Sequence, residues 1–344
     1  MSLSLFKNYF VSDLAIDLGT ANTLVYVKGK GILLNEPSVI AVRKEDYQVL
    51  AVGHEARGMW GKTPEEIMTV RPMKDGVIAD FDLAEMMIKK FIQKVRVKRF
   101  FHPLMAISIP SGITEVERRA VRDSGEHAGA REVYLVEEPM AAAIGVNLPI
   151  EKPVGSMVVD IGGGTTEIAV IAMSGIVTKI SIRIAGDEMN DAIVQYFKKK
   201  YNLLLGEMMA EQIKIDVGSV SPYHDERKIS VRGRDLITGI PRNIEVSSSE
   251  VQEALEDPVK AIVEAVLLAL EKTPPELSSD ILERGIIMTG GGALLRGLDK
   301  RFRKETNLPI HLAEDPMTAV VRGVGRVLED FDHYKKVLGL RMKK

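Results

Sequence analysis

The chain has 344 residues, 45% hydrophobic and 27% charged, with a formal net charge of −2 and no cysteine. That composition is too apolar and too evenly charged for a disordered chain, and at roughly 150 residues per domain the length predicts two domains or one lobed unit. The absent cysteines exclude disulfides, thiolate metal sites and a cysteine nucleophile and fit a reducing, cytosolic setting, while near-neutral charge argues against a nucleic-acid surface.

The first ten residues, from Met1 to Phe10, carry one cation and broken apolar character, and are not expected to act as a cleavable signal. Leu3, Phe6 and Phe10 fall at i, i+3 and i+7, so a short helix here would line three apolar groups along one side and suit a membrane surface. The strand Ala15-Ile-Asp17 runs into the turn Leu18-Gly19-Thr20, and Thr23 to Val27 returns as a hairpin. A helix is predicted from about Asp82 through Leu83, Met86, Met87, Phe91 and Val95, with its methionines as core filler. Phe100-Phe101, beside Lys98, Arg99 and His102, is a second candidate membrane contact or else the start of a buried strand leading to Ile107 and Ile109. Thr114 with Glu117 makes a capping box, and Glu137-Glu138-Pro139 opens a small-residue helix.

The opening motif then returns. Val158-Val-Asp160-Ile-Gly162-Gly-Gly164-Thr165 repeats strand, aspartate and glycine turn, and Glu167 to Ile171 repeats the return strand, about a domain's length later. Two homologous halves facing a cleft are expected. Beyond the repeat, Asp187 opens a helix that ends at Lys198-Lys-Lys200, residues 221 to 228 form a polar connection, and Lys228 to Val246 makes two strands around Gly239. Ser249 is expected to cap a long helix that contains Pro258 and stops at Thr273-Pro-Pro275. The most apolar stretch, Ala265 to Leu270, is closed by Glu264 and Glu271, well short of the ~20 residues that span a bilayer. A third glycine turn, Thr289-Gly290-Gly-Gly292, follows the strand at Ile286.

Glycine turns let backbone N–H groups approach an anion, Thr20, Thr165 and Thr166 add hydroxyls, and Asp17 and Asp160 can hold a hydrated Mg²⁺. Two such turns from the two halves would clamp a polyphosphate. No Gly-x-x-x-x-Gly-Lys-Ser/Thr is present, so the P-loop route is absent. The third turn suits a flat group such as adenine, and Glu211 and Lys214, on nearly one helical face, suit a ribose. If its helix faces the cleft, Glu138 could orient a water on a γ-phosphate. The six histidines show no metal-ligand spacing.

Along nearly its whole length the chain resembles the MreB family of bacterial actin-like cell-shape proteins, within the superfamily of actin, sugar kinases and heat-shock-chaperone ATPases. The resemblance is carried by residues 17–23, 34–38, 71–80, 116–120, 138–145, 160–167 and 289–292, of which 71–80 and 138–145 look specific to that family. It implies an α/β, actin-like fold: a ribonuclease H-like unit duplicated into two lobes, with central mixed sheets flanked by helices and Mg-ATP in the cleft. Implied boundaries are a membrane-interacting segment 1–12, a first lobe 13–152 with a small subdomain at about 38–80, a second lobe 153–330 with one at about 187–255, and a tail 331–344.

The same resemblance implies Thr20, Ala21 and Asn22 as one phosphate loop and Gly162, Gly163, Gly164 and Thr165 as the other. Glu211 and Lys214 fall on the ribose side and Gly290, Gly291, Gly292 and Ala293 on the adenine side, Gly186 and Gln212 are further nucleotide-binding residues, and Glu138 and Thr165 position the hydrolytic water. It further implies slow, polymerisation-linked ATPase activity and filaments under the inner membrane that organise peptidoglycan synthesis and rod shape, with MreC, MreD and RodZ as partners. A small-molecule kinase of the same fold is the alternative. A chaperone ATPase would need a substrate-binding domain, for which the residues after Gly292 leave no room.

Overall fold

The computed structural model describes residues 13–95, 102–221 and 226–339. Leu3, Phe6, Phe10, Phe100, Phe101 and most of the polar connection after Ser221 therefore lie outside the described residues.

The first lobe is built on strands β1 (Leu14–Leu18), β2 (Asn22–Val27) and β3 (Gly31–Pro37), which meander antiparallel. An outlying sheet follows, formed by β4 (Ile40–Arg43), β5 (Val49–Val52) and β6 (Ile67–Val70), with helix α1 (His54–Met59) between the last two. A two-stranded ribbon, β7 (Met73–Lys74) and β8 (Val77–Ile78), leads to α2 (Phe81–Lys94), whose start is fixed by Asp80 accepting from the Leu83 N–H. The chain returns to the main sheet as β9 (Leu104–Ile109), α3 (Glu115–His127) and β10 (Glu132–Glu137), then enters α4 (Glu138–Gly145). The expected capping box of Thr114 and Glu117 opens α3.

The second lobe repeats the plan. Strands β11 (Ser156–Ile161), β12 (Thr166–Ala172) and β13 (Gly175–Ile182) meander antiparallel, and α5 (Gly186–Tyr201), β14 (Leu203–Leu204), α6 (Glu207–Val217), β15 (Lys228–Asp235) and β16 (Pro241–Ser247) form its outlying part. The long α7 (Ser248–Glu271) and α8 (Pro275–Arg284) return the chain to β17 (Ile286–Thr289), α9 (Leu298–Thr306), β18 (Ile310–Leu312), α10 (Ala319–Glu329) and α11 (Phe331–Val337). The cap of α7 is Ser247, not Ser249, because Ser247-Ser-Ser-Glu250 has the capping-box spacing, and the Ser247 hydroxyl accepts from the Glu250 N–H. Residues 331–337, at the start of the expected tail, form α11, which sets Phe331 edge-on to Tyr134 at 4.7 Å between ring centroids.

The two main five-stranded sheets are ordered β10-β9-β1-β2-β3 and β13-β12-β11-β17-β18. Outward from its first strand, each has an antiparallel hairpin pair on one side and two parallel strands on the other. Strands β9, β11 and β12 are buried along their whole lengths, as expected for central strands covered on both faces. The architecture is thus α/β and two-lobed, with mixed sheets flanked by helices.

Two helices are exchanged between the lobes. Helix α4 leaves the first sheet but packs on β11 and β12 of the second, whereas α10, near the end of the second lobe, packs on β1, β2 and β9 of the first. They cross at glycines, and an apolar core containing Ala15, Ala106, Ala142, Val158, Ala169 and Val324 joins both sheets through them.

Candidate nucleotide site

Between the lobes lies a cavity of about 430 Å³. Its floor is made where β1 turns into β2 and β11 turns into β12, so the repeated motifs face each other. The fit is close: a Cβ on Gly164 would lie 2.7 Å from Thr20 Oγ1, and the Gly76 N–H of the β7–β8 ribbon donates to that same oxygen at 2.9 Å. Of the phosphate-side residues expected from the sequence, Thr20, Ala21, Asn22, Gly162, Gly163, Gly164 and Thr165 line this one cavity together with Gly186.

The aspartates occupy equivalent places. Asp17, next to last in β1, accepts from Ser108 Oγ on the neighbouring β9 at 2.8 Å; Asp160, next to last in β11, accepts from Thr289 Oγ1 on the neighbouring β17 at 2.7 Å. Burial raises the Asp17 carboxyl to about 6 and the Asp160 carboxyl to about 7, against the hydrogen bond each receives. Glu138, at the first turn of α4, is buried beside them. Its carboxyl is pushed well above the usual range, first by burial and then by the charges of Glu167, Asp17 and Asp160. This concentration of hard, oxygen-bearing, costly-to-ionise groups fits a divalent cation. Among the described residues no three His, Cys, Asp or Glu side chains converge on one point, so such an ion would be held through water, as Mg²⁺ commonly is.

Glu211 and Lys214 of α6 both line the cavity wall. The Arg57 guanidinium of α1 donates to Glu211 Oε2 from across the cleft, and Lys214 Nζ donates to the Gly186 carbonyl at 2.7 Å. Burial pulls the Lys214 ammonium below its ordinary value. Gly290, Gly291 and Gly292 form the far wall, where Gly290 has φ +82° and a Cβ there would fall 2.3 Å from the Ile161 carbonyl oxygen. Ile215, Leu294, Leu295, Pro316 and Met317 give this end an apolar lining suited to a flat base.

Two expected residues are placed elsewhere. Gln212 sits about 100° around α6 from Glu211, and its Nε2 donates to Asp216 Oδ2 at 2.8 Å outside the cavity. Ala293 points into the second lobe's core, so its neighbour Leu294 meets the cavity instead. Sequence reasoning also missed Arg57, Arg71, Gly76 and Asp187 as lining residues; only Arg71 and Gly76 carried a signal, as members of the 71–80 block.

Duplicated lobes exchanging a helix pair around a cleft, with matched glycine turns and aspartates on its floor, define an actin-like nucleotide-binding architecture. The family model described as MreB/Mbl protein matches residues 11–336. The chain is 54% identical over 336 residues to the cell shape-determining protein MreB of Escherichia coli (strain K12), covering 96% of this chain and 97% of that one. It is 53% identical over 328 residues to the cell shape-determining protein Mbl of Bacillus subtilis (strain 168), covering 95% and 98%. Crystal structures of MreB5 of Spiroplasma citri bound to ADP and to AMPPNP superpose with TM-scores of 0.90 and 0.89 at 37% identity, each covering 95% of this chain and 98% of that one. The chain belongs to the MreB/Mbl family.

Proposed function

We propose that this chain is an ATP-dependent, actin-like cytoskeletal protein that determines cell shape by assembling into membrane-associated filaments that direct cell-wall synthesis. The observation that carries the reading is the pairing, across one cavity, of two glycine turns that each follow an aspartate, Asp17 half-buried and Asp160 buried, in a chain 54% identical to a cell shape-determining protein. The kinase alternative is not favoured, because the matched relatives are cell-shape proteins.

In this reading the backbone N–H groups of the turns at 19–22 and 162–165 bind the phosphates, Thr20 and Thr165 add hydroxyl donors, and the apolar end near Gly290 takes the base. Asp17 and Asp160 would hold hydrated Mg²⁺, which when bound supplies positive charge against the phosphates. Glu138 and Thr165 orient the attacking water: Glu138 is held at the start of α4 and shielded from bulk solvent, so once ionised its carboxylate can accept a hydrogen bond from that water. MreC, MreD and RodZ are the partners to be tested first, supported by family membership alone.

Leu3, Phe6 and Phe10, with Phe100 and Phe101, are the proposed lipid contacts. No helix among the described residues is long and apolar enough to cross a membrane. So short a segment buries little area, so a monomer should bind weakly and a filament avidly. The test is sedimentation and electron microscopy with ATP, ADP or no nucleotide, with and without anionic liposomes, for the full chain, a chain lacking residues 2–10, and Phe100→Ser/Phe101→Ser. ATP-dependent filaments on liposomes are expected, with attachment lost in at least one variant. Identical pelleting in all nucleotide states refutes the coupling, and undiminished attachment of both folded variants removes these sites as anchors.

A further inference from the structure

Arginines of the first lobe reach carboxylates of the second across the mouth of the cavity. Arg57, on α1, pairs with Glu211 on α6. Arg71, in the link between β6 and β7, pairs at once with Glu207 at 2.6 Å and with Asp187 at 3.3 Å, in the first turns of α6 and α5. Trp60 backs Arg71, with the guanidinium carbon 5.5 Å from its ring centroid. These five charged side chains are between 23% and 34% exposed, so the pairs are partly shielded from solvent. With Lys214 nearby, three cations face three carboxylates, and the mouth is close to neutral when shut.

The pairs join the two lobes' outlying parts: α1 and the 71–72 link belong to the first, and α5 and α6 to the second. Arg57, Arg71, Asp187 and Glu211 also line the cavity itself, so a ligand in the cavity lies beneath them. Arg57 donates to Glu211 Oε2, and a carboxylate held by one oxygen presents the other in a fixed direction, here available to a ribose hydroxyl.

We propose that Arg57 and Arg71, with Asp187, Glu207 and Glu211, form a cross-cleft clasp that retains bound nucleotide, its opening setting the rate of release, and that Arg57 is a positioning residue for Glu211. The inference rests on the nucleotide reading above and adds a residue set and a rate-limiting contact to it. A ligand held by the floor alone would leave as fast as its phosphate contacts allow. With the clasp shut, the two lobes must first part at the mouth, breaking several charge pairs together.

The experiment measures release of base-modified fluorescent etheno-ADP and etheno-ATP, whose ribose hydroxyls are free, by stopped flow, chased with unlabelled nucleotide. The proteins are the full-length wild type, Arg57→Ala, Arg71→Ala, Arg71→Glu and the charge swap Arg71→Glu/Glu207→Arg, each checked for wild-type circular dichroism. Release is expected to be on the order of tenfold faster in Arg71→Ala, the scale of losing two partly shielded pairs, and faster still in Arg71→Glu. The swap restores the 71–207 pair but leaves a carboxylate at 71 facing Asp187, so it should release more slowly than Arg71→Glu alone without regaining the wild-type rate, a partial rescue that a merely structural arginine would not permit. Raising ionic strength should speed release from the wild type more than from Arg71→Ala. Wild-type release rates in both Arg57→Ala and Arg71→Ala overturn the clasp while leaving the nucleotide site standing. A wild-type protein that binds no nucleotide at all overturns the nucleotide reading, and the clasp with it.

Discussion

The crossing of α4 and α10 makes a sharp demand on two small residues. An added Cβ on Gly145 would lie 1.9 Å from the Ala319 carbonyl oxygen, and one on Gly323 would lie 1.8 Å from the Ala141 carbonyl oxygen. Ordinary contact begins near 3.4 Å, so either substitution to alanine must drive the helices apart by well over an ångström, against backbone that cannot rotate away. Alanine in a helix gains about 1 kcal/mol over glycine. Overpacking costs typically ~1–3 kcal/mol and here also opens the shared core, where even a gap of ~0.5–1 Å forfeits a quarter to a half of each contact's attraction. The loss should win, leaving Gly145→Ala and Gly323→Ala each roughly 1–3 kcal/mol less stable than wild type. Because one displacement relieves both clashes, the double variant should lose less than the sum.

Gly58, within α1, is the control, since a Cβ there meets nothing within 4 Å. Gly58→Ala should be neutral or stabilising by up to about 1 kcal/mol. Urea unfolding of the nucleotide-free protein, followed by circular dichroism, gives the midpoints. Equal midpoints for Gly58→Ala, Gly145→Ala and Gly323→Ala would refute the argument that the lobes are joined by backbone-level contact.

Glu138→Ala should leave nucleotide affinity largely intact and slow hydrolysis by 10²-fold or more, because a water-positioning carboxylate acts in the transition state; an unchanged turnover number in a phosphate-release assay removes that role. Asp160→Asn should weaken nucleotide binding most at low Mg²⁺, read by titration at several Mg²⁺ concentrations, and equal affinity at all of them would mean that the metal lies elsewhere. The raised carboxyls of Asp17, about 6, and Asp160, about 7, contribute stability that is fully present below their unfolded values near 3.8 and is lost as pH rises through the folded ones. The nucleotide-free protein should therefore lose stability between about pH 4 and pH 7, and Asp17→Asn should flatten that slope in thermal melts across the range. A wild-type stability that rises through this window contradicts the burial assigned to these groups.

The duplicated motif was legible because it is local: aspartate, glycine turn and return strand are consecutive, and alternating apolar residues announce the hairpin. Its partners were not. Ser108 reaches Asp17 and Thr289 reaches Asp160 over separations of 91 and 129 residues, and nothing in either segment distinguishes these hydroxyls before the pairing of β9 with β1 and β17 with β11 is known. Helix periodicity placed Glu211 and Lys214 correctly on one cavity wall, and the same periodicity, applied to Gln212, would have turned it away. The clasp was hidden for a different reason. Arg57 looks like an ordinary surface cation in a chain rich in them, Arg71 is marked only by its place in the 71–80 block, and only the approach of two outlying parts gives either a carboxylate to meet.

The small-residue character of 138–145 carried more meaning than a helix start. Ala141, Ala142, Ala143 and Gly145 keep α4 thin enough for α10 to cross it, and that crossing is what lets each helix serve the opposite lobe's sheet. Glu138 begins the same helix, so the residue proposed to position water is attached to one of the two helices that join the lobes. At the same end of the cavity the two glycine turns are already bridged, since Gly76 of the β7–β8 ribbon is packed on Thr165 while its N–H holds Thr20. A ligand can shift the balance between two lobe arrangements only through contacts that differ between them. Phosphates lodged between these turns would contact both lobes, beside the ribbon and near the start of α4, so a terminal phosphate would have contacts on both sides of the cleft through which to bias how the lobes meet.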